Sequence, residues 1–264
     1  MAIIDSAEEF RIGRVVSRLF DALFANAVPF LALTALLTIP SLLLSLYTTS
    51  NTTQNMGVNA AGGIAPGGAV RVVEMGLAGI LLYLVFTFLL QAALTHGTIS
   101  WLNGEKPSFG SSLSVAVKNF LPLIAIAVLT GLGVMLGFAL LIVPGFILIL
   151  MWSVAVPVKV IEGAGITESF GRSRALTKGY RGRIFLLLLA YTLIAIAIGF
   201  AIRPLLGIAV LPKPGDMSPT YVLSDWILRV ILTSISSVGV TSIYYELRLV
   251  KEGIGAQQMA SAFD

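Results

Sequence analysis

Cysteine is absent, histidine occurs once (His96), and only 11% of the 264 residues are charged. Without cysteine there are no disulfides and no thiolate chemistry, and the redox compartment leaves no mark. With one histidine, a histidine-rich metal site is excluded. The shortage of charge excludes most. A soluble domain carries about 25% charged residues. A chain that is 57% hydrophobic, with a mean hydropathy of +0.95, cannot cover its apolar surface with so few charges. That composition belongs to an integral membrane protein. Chemistry-bearing motifs are missing as well. There is no P-loop, nucleophile triad, metal cluster or dinucleotide fingerprint. "GLGVMLG", residues 131–137, is glycine-rich, but it lies in an apolar run rather than between a strand and a helix. Neither a catalytic residue nor a cofactor nor a metal is expected, so the chain does not read as an enzyme.

What is present is apolar length. A spanning helix needs about 20 apolar residues. Residues 27–47, 77–99, 184–202 and 226–245 each supply one, and residues 119–158 contain no charge and fit two spans turned at Pro144-Gly145. Pro40 and Pro157 are expected to kink spans one and four. Asp5, Glu8 and Glu9 near the start argue against a cleaved leader, although Ala25-Asn26-Ala27 resembles a cleavage site. Six spans put both termini on one side. With that side inside, the inner segments hold Arg11, Arg14, Arg18, Lys106, Lys118, Lys159, Arg172, Arg174, Lys178, Arg181, Arg183, Arg248 and Lys251. The outer segments hold only Arg71, Arg203, Lys213 and Arg229. The positive-inside rule therefore places both termini of this multi-pass protein in the cytoplasm. Tyr47, Trp101, Trp152, Trp226, Tyr244 and Tyr245 lie near span ends as an aromatic belt would. The two longer outer loops, residues 48–73 and 204–225, are expected to form no separate domain.

The inner segments echo one another. Ser108-Phe109-Gly110 and Ser169-Phe170-Gly171 are 61 residues apart, and Asn119 and Tyr180 share that offset. Asn103-Gly104, Glu162-Gly163 and Glu252-Gly253 follow spans two, four and six, and Asn26-x-x-Pro29 resembles Asn119-x-x-Pro122. The pattern suggests one membrane domain, residues 1–264, built as an approximate three-fold parallel repeat of a short inner helix plus a helical hairpin, over residues 10–101, 108–162 and 169–252. The short helices read as interfacial. Ile12, Val15, Val16, Leu19, Phe20, Leu23 and Phe24 make an apolar stripe, with Arg11, Arg14 and Arg18 off it. Phe109, Leu113, Ala116, Val117 and Phe120 repeat the stripe. Phe170, Leu176 and Tyr180 are the apolar contacts of a third, more basic copy.

That third copy holds the most basic stretch, "SFGRSRALTKGYRGRIF", residues 169–185. Its setting between two spans points to anionic lipid headgroups at Arg172, Arg174, Lys178, Arg181 and Arg183 rather than to nucleic acid. Topology alone would also select these residues. Lys159 and Glu162 stand three apart on one helical face and are expected to pair. Glu246 and Arg248, two apart, do not face each other in a helix and are expected to pair between repeats, with Glu162 and Glu246 each contacting basic residues of neighbouring inner segments. His96 reads either as a proton relay or as a hydrogen-bonded histidine near the interface. Arg71 and Glu74, with Asp225 and Arg229, are outer anchors or partners across the bundle. Thr233, Ser234, Ser237, Thr241 and Ser242 make a polar seam on span six, for helix packing or for a substrate path. Gly133-x-x-x-Gly137 reads as a packing motif.

The run from Met151 to Phe185 resembles a family of bacterial inner-membrane proteins described as YciC-like, or as glycerophosphoryl diester phosphodiesterase membrane domains. The likeness rests on Trp152, Pro157, Glu162-Gly163, Ser173, Leu176-Thr177 and Gly179, and on the closing "SIYYELRLVKEG", residues 242–253. It implies a six-helix membrane domain. The soluble phosphodiesterase fused to some members needs a metal site of His, Glu and Asp, which this chain lacks. The expected role is non-enzymatic, in envelope or lipid homeostasis or as a scaffold. Membrane lipids are the expected partners, with a membrane protein or a second copy also possible. The alternative is a transporter or channel for a lipid or small solute.

Overall fold

The computed structural model describes residues 9–50, 68–205 and 219–253. In chain order the helices are α1 (Ile12–Ala25), α2 (Ala27–Ser50), α3 (Gly68–Leu102), α4 (Phe109–Lys118), α5 (Phe120–Leu140), α6 (Ile142–Trp152), α7 (Ala155–Glu162), α8 (Ile166–Thr177), α9 (Arg181–Leu205) and α10 (Pro219–Glu252). No strand occurs among the described residues. Six stretches are long and apolar enough to cross a membrane: α2, most of α3, α5, α6 with α7, α9 and α10. The protein is an all-α, multi-pass membrane protein. Most of both expected outer loops, and the side chains of Arg71 and Glu74, lie outside the described residues.

Helix α10 is the axis. Its 34 residues rise about 50 Å, well beyond a hydrocarbon core of about 30 Å. Helices α1, α2, α3 and α8 pack on it, and from Val238 to Leu247 almost every side chain is buried. Helices α1, α4 and α8 gather at one end of the bundle, called here the basic end. The first of them carries Val15, Ala22 and Leu23 into the core and leaves Ile12, Val16, Phe20 and Phe24 outside.

Two breaks differ from the sequence expectation. Spans three and four turn at Leu141, whose backbone is fully extended, and not at Pro144-Gly145. Pro144 falls in the first turn of α6, where its missing N–H has no helical partner to lose. Gly145 instead allows a close crossing: a Cβ on Gly137 would stand 2.9 Å from the Gly145 Cα. Span four is broken at Ser153-Val154 rather than kinked. Pro157 opens α7 and takes away the donor for the Ser153 carbonyl. The buried Ser173 hydroxyl of α8 fills in at the break, donating to the Met151 carbonyl at 2.7 Å and accepting from the Val154 N–H at 3.3 Å. Helix α2 runs through Pro40 without a break.

A short helix followed by two long segments occurs three times in the element order. The sequence echoes have local counterparts. Gly104, Gly163 and Gly253 follow spans two, four and six with φ of 83°, 63° and 65°, the left-handed stop that glycine supplies at a helix end. Asn26 and Asn119 each end a short helix and return the side-chain amide to the carbonyl four residues back, Ala22 and Val115, at 3.0 and 2.9 Å. The match is not complete. Ser108 caps α4 from outside, whereas Ser169 lies buried within α8, because Pro107 disfavours helical backbone just before it.

Candidate functional site

At the basic end two carboxylates organise the arginines. Glu246 is completely buried. Its Oε1 accepts from the Arg11 N–H at 3.0 Å and from Arg14 Nε and Nη2 at 2.9 and 2.6 Å. Its Oε2 accepts from Arg18 Nη1 at 2.5 Å. The Arg18 guanidinium also lies over the Tyr245 ring. A buried carboxylate survives only with such partners, so Arg14 and Arg18 are drawn inward from the polar face expected of α1.

The second assembly is a closed ring of alternating charge. Glu162, at the end of α7, accepts from Arg172 Nε of α8 at 2.8 Å. Arg172 also donates to Glu252 of α10. Glu252 accepts from Arg248 Nε at 2.8 Å, and Arg248 returns to Glu162 at 3.7 Å. Inside the ring, the Tyr244 hydroxyl donates to Glu162 at 2.9 Å and receives Arg248 at 3.2 Å. Burial opposes the Arg172 charge, but Glu162 and Glu252 outweigh it and hold its pKa above the ordinary arginine value. Residues 151–185 and 242–253, far apart in the chain, meet in this ring.

The ring revises several sequence readings. Lys159 does not pair with Glu162; it donates to the Ala164 carbonyl at 2.9 Å and closes the end of α7. Arg172 pairs with Glu162 and Glu252 in the ring. Arg183 donates to the Phe10 carbonyl at 2.6 Å and approaches Glu9. Of the five residues expected at lipid, Arg174 and Lys178 are exposed, and Arg181 is half-buried with its Nε unpartnered. Tyr244 is core rather than interfacial belt. Lys251 donates to the carbonyls of Ala175 and Lys178, closing the end of α8. Sequence reasoning missed Tyr244, Glu252, Arg14 and Arg18 as parts of these assemblies. The one available signal was a Tyr, two Glu and two basic residues within ten positions at the end of the last span.

Above the basic end two hydroxyls of the polar seam of α10, Ser234 and Thr241, bond to neighbouring helices, while Ser242 returns to the Val238 carbonyl of its own helix. Thr241 meets Thr95 at 3.0 Å, and Gln91 donates to the Ser237 carbonyl at 3.0 Å. Ser234 meets Thr34 at 2.7 Å, and Trp226 donates to Thr38 at 3.0 Å. These bonds join α10 to α2 and α3. His96 approaches the Ser112 hydroxyl of α4 at 3.5 Å. Gly133 makes room for Trp152, whose ring would lie 2.4 Å from an added Cβ and which packs on Phe170. Between α9 and α10, roofed by Val15, Val16 and Leu19 of α1, runs an apolar groove of about 310 Å³. No group of three or more metal-binding side chains occurs among the described residues.

In comparisons with known proteins, no family model, no curated protein and no solved structure matches this chain.

Proposed function

We propose that this is a non-enzymatic protein of a bacterial inner membrane, with both termini cytoplasmic, built from three copies of one helix-plus-hairpin unit. In this reading it serves envelope or lipid homeostasis, and its basic end contacts anionic headgroups. The resemblance to the YciC-like family is part of the reading. The observation that carries it is a division among the basic residues. Arg172 pairs with Glu162, Arg14 and Arg18 share Glu246, and Arg183 approaches Glu9, while Arg174 and Lys178 face outward and Arg181 is half-buried with no carboxylate partner among the described residues. These three stand where α8 hands over to α9, whose Phe185, Leu186 and Leu189 are exposed. A cationic rim beside an apolar flank suits a phospholipid, and the groove between α9 and α10 offers acyl chains room nearby.

Near the surface each Lys or Arg contributes about 1 kcal/mol toward an anionic leaflet. The triple variant R174Q/K178Q/R181Q should therefore lose preference for phosphatidylglycerol over phosphatidylcholine by on the order of a hundredfold. Lipid competition on the purified protein in nanodiscs measures it, and added salt should erode the parent's preference. An unchanged preference in the triple variant overturns the reading.

A further inference from the structure

At the end of the bundle opposite the charge ring, a cleft of about 330 Å³ lies between the last turns of α2, the end of α9 and the first turns of α10. That is the small end of the ligand-pocket range. Arg203, Asp225 and Arg229 line it with Ser41, Ser45 and Trp226. Asp225 is the one carboxylate lining it among the described residues, and both its oxygens are taken. Oδ1 accepts from Arg203 Nη2 at 2.5 Å and Oδ2 from Arg229 Nε at 2.6 Å. Two guanidinium charges thus meet one carboxylate, which leaves the cleft cationic.

The cleft also has donors to spare. A guanidinium carries five N–H groups. The Arg229 side chain is 65% exposed and commits only its Nε to Asp225, while the unpartnered Arg203 Nε is buried beside the cleft. Trp226 and Ser41 are already spent, donating to Thr38 Oγ1 and the Thr38 carbonyl. What remains is positive charge and N–H groups, with both guanidiniums held in place by Asp225 before any ligand arrives. Such paired forks match an anion with several acceptor oxygens. A carboxylate ligand has two oxygens and one charge, whereas a phosphate has enough oxygens to engage both forks together.

We propose that this cleft binds a phosphate-class oxyanion, presented either as a phospholipid headgroup or as a free phosphate. The proposal does not rest on lipid contact at the basic end. The full chain in phosphatidylcholine nanodiscs would be titrated calorimetrically with inorganic phosphate. In parallel, native mass spectrometry would follow phosphatidylglycerol retained from mixed discs. Calorimetric binding identifies free phosphate as a ligand, and selective retention without it identifies the headgroup. In whichever arm binds, R229Q should weaken binding about tenfold or more, read in the parent for phosphate and in the R174Q/K178Q/R181Q background for phosphatidylglycerol, so that retention by the basic end does not enter. Arg229 is exposed enough for R229Q to fold. R203Q, which removes the pin between α9 and α10, is the second variant. Absence of binding in both arms, or parental binding by R229Q, overturns the proposal.

Discussion

Glu246 shows what a single residue contributes at the basic end. Four donor atoms from α1 converge on one carboxylate that has no exposed surface. Breaking a buried pair from one side leaves the other charge stranded, which costs about 3 kcal/mol or more. E246Q keeps the shape but removes the charge, so Arg14 and Arg18 would face a neutral amide. We expect a clear fall in the unfolding midpoint in detergent. R14Q should lower it less, because Arg18 and the Arg11 N–H still reach the carboxylate. Combining E246Q with R14Q should add little beyond E246Q alone, since coupled residues are not additive. An unchanged midpoint in E246Q contradicts this account. The charges themselves were plain in the sequence. That Glu246 meets basic residues of another inner segment was expected, but which ones was not legible, because Arg14 and Glu246 lie at opposite ends of the chain and only the packing of α1 on α10 joins them.

At the scale of elements, apolar length is a local property, so all six spans could be read directly, although α3 and α10 run several residues beyond the expected bounds. The interruptions could not, because they depend on neighbours. Pro157 signals disturbance in span four, but a clean break at Ser153-Val154 is tolerable only because Ser173, on a different helix, takes up the freed backbone groups. Helix α9 is a contrasting case. It is mostly exposed along its length and is held by polar pins: Arg183 to the Phe10 carbonyl, Tyr191 to the Leu232 carbonyl, and Arg203 to Asp225. The α5–α6 hairpin relies on close approach. A Cβ at Gly137 would meet Gly145 backbone at 2.9 Å, whereas one at Gly131 would meet only the tip of Leu84 at 3.0 Å. A side-chain tip can move and a backbone cannot. G137A should therefore cost about 1–3 kcal/mol of stability and G131A distinctly less, as measured by parallel unfolding in detergent. Equal effects would mean that the crossing at Gly137 is not tight.

At the scale of the whole molecule, the charges among the described residues sort by end. Glu162, Glu246, Glu252 and the arginines that bind them close one end, with Arg174 and Lys178 exposed beside them. The other end holds the smaller set of Arg203, Asp225 and Arg229. The spans could be read from sequence because each is one contiguous apolar run. The charge ring could not, because it assembles from α7, α8 and α10, and the outer cleft draws on α2, α9 and α10. The sorting implies an orientation. Basic segments are retained on the cytoplasmic side, so the ring and Arg174 should face inward and the start of α10 outward. The absence of cysteine makes this directly testable, because any introduced thiol is the only one in the chain. Thr220 and Arg174 are both exposed, at opposite ends. In intact spheroplasts a membrane-impermeant maleimide should label T220C and leave R174C unlabelled until the membrane is permeabilised. Labelling of R174C alone before permeabilisation would reverse the orientation, and equal labelling of both would mean that the population is mixed.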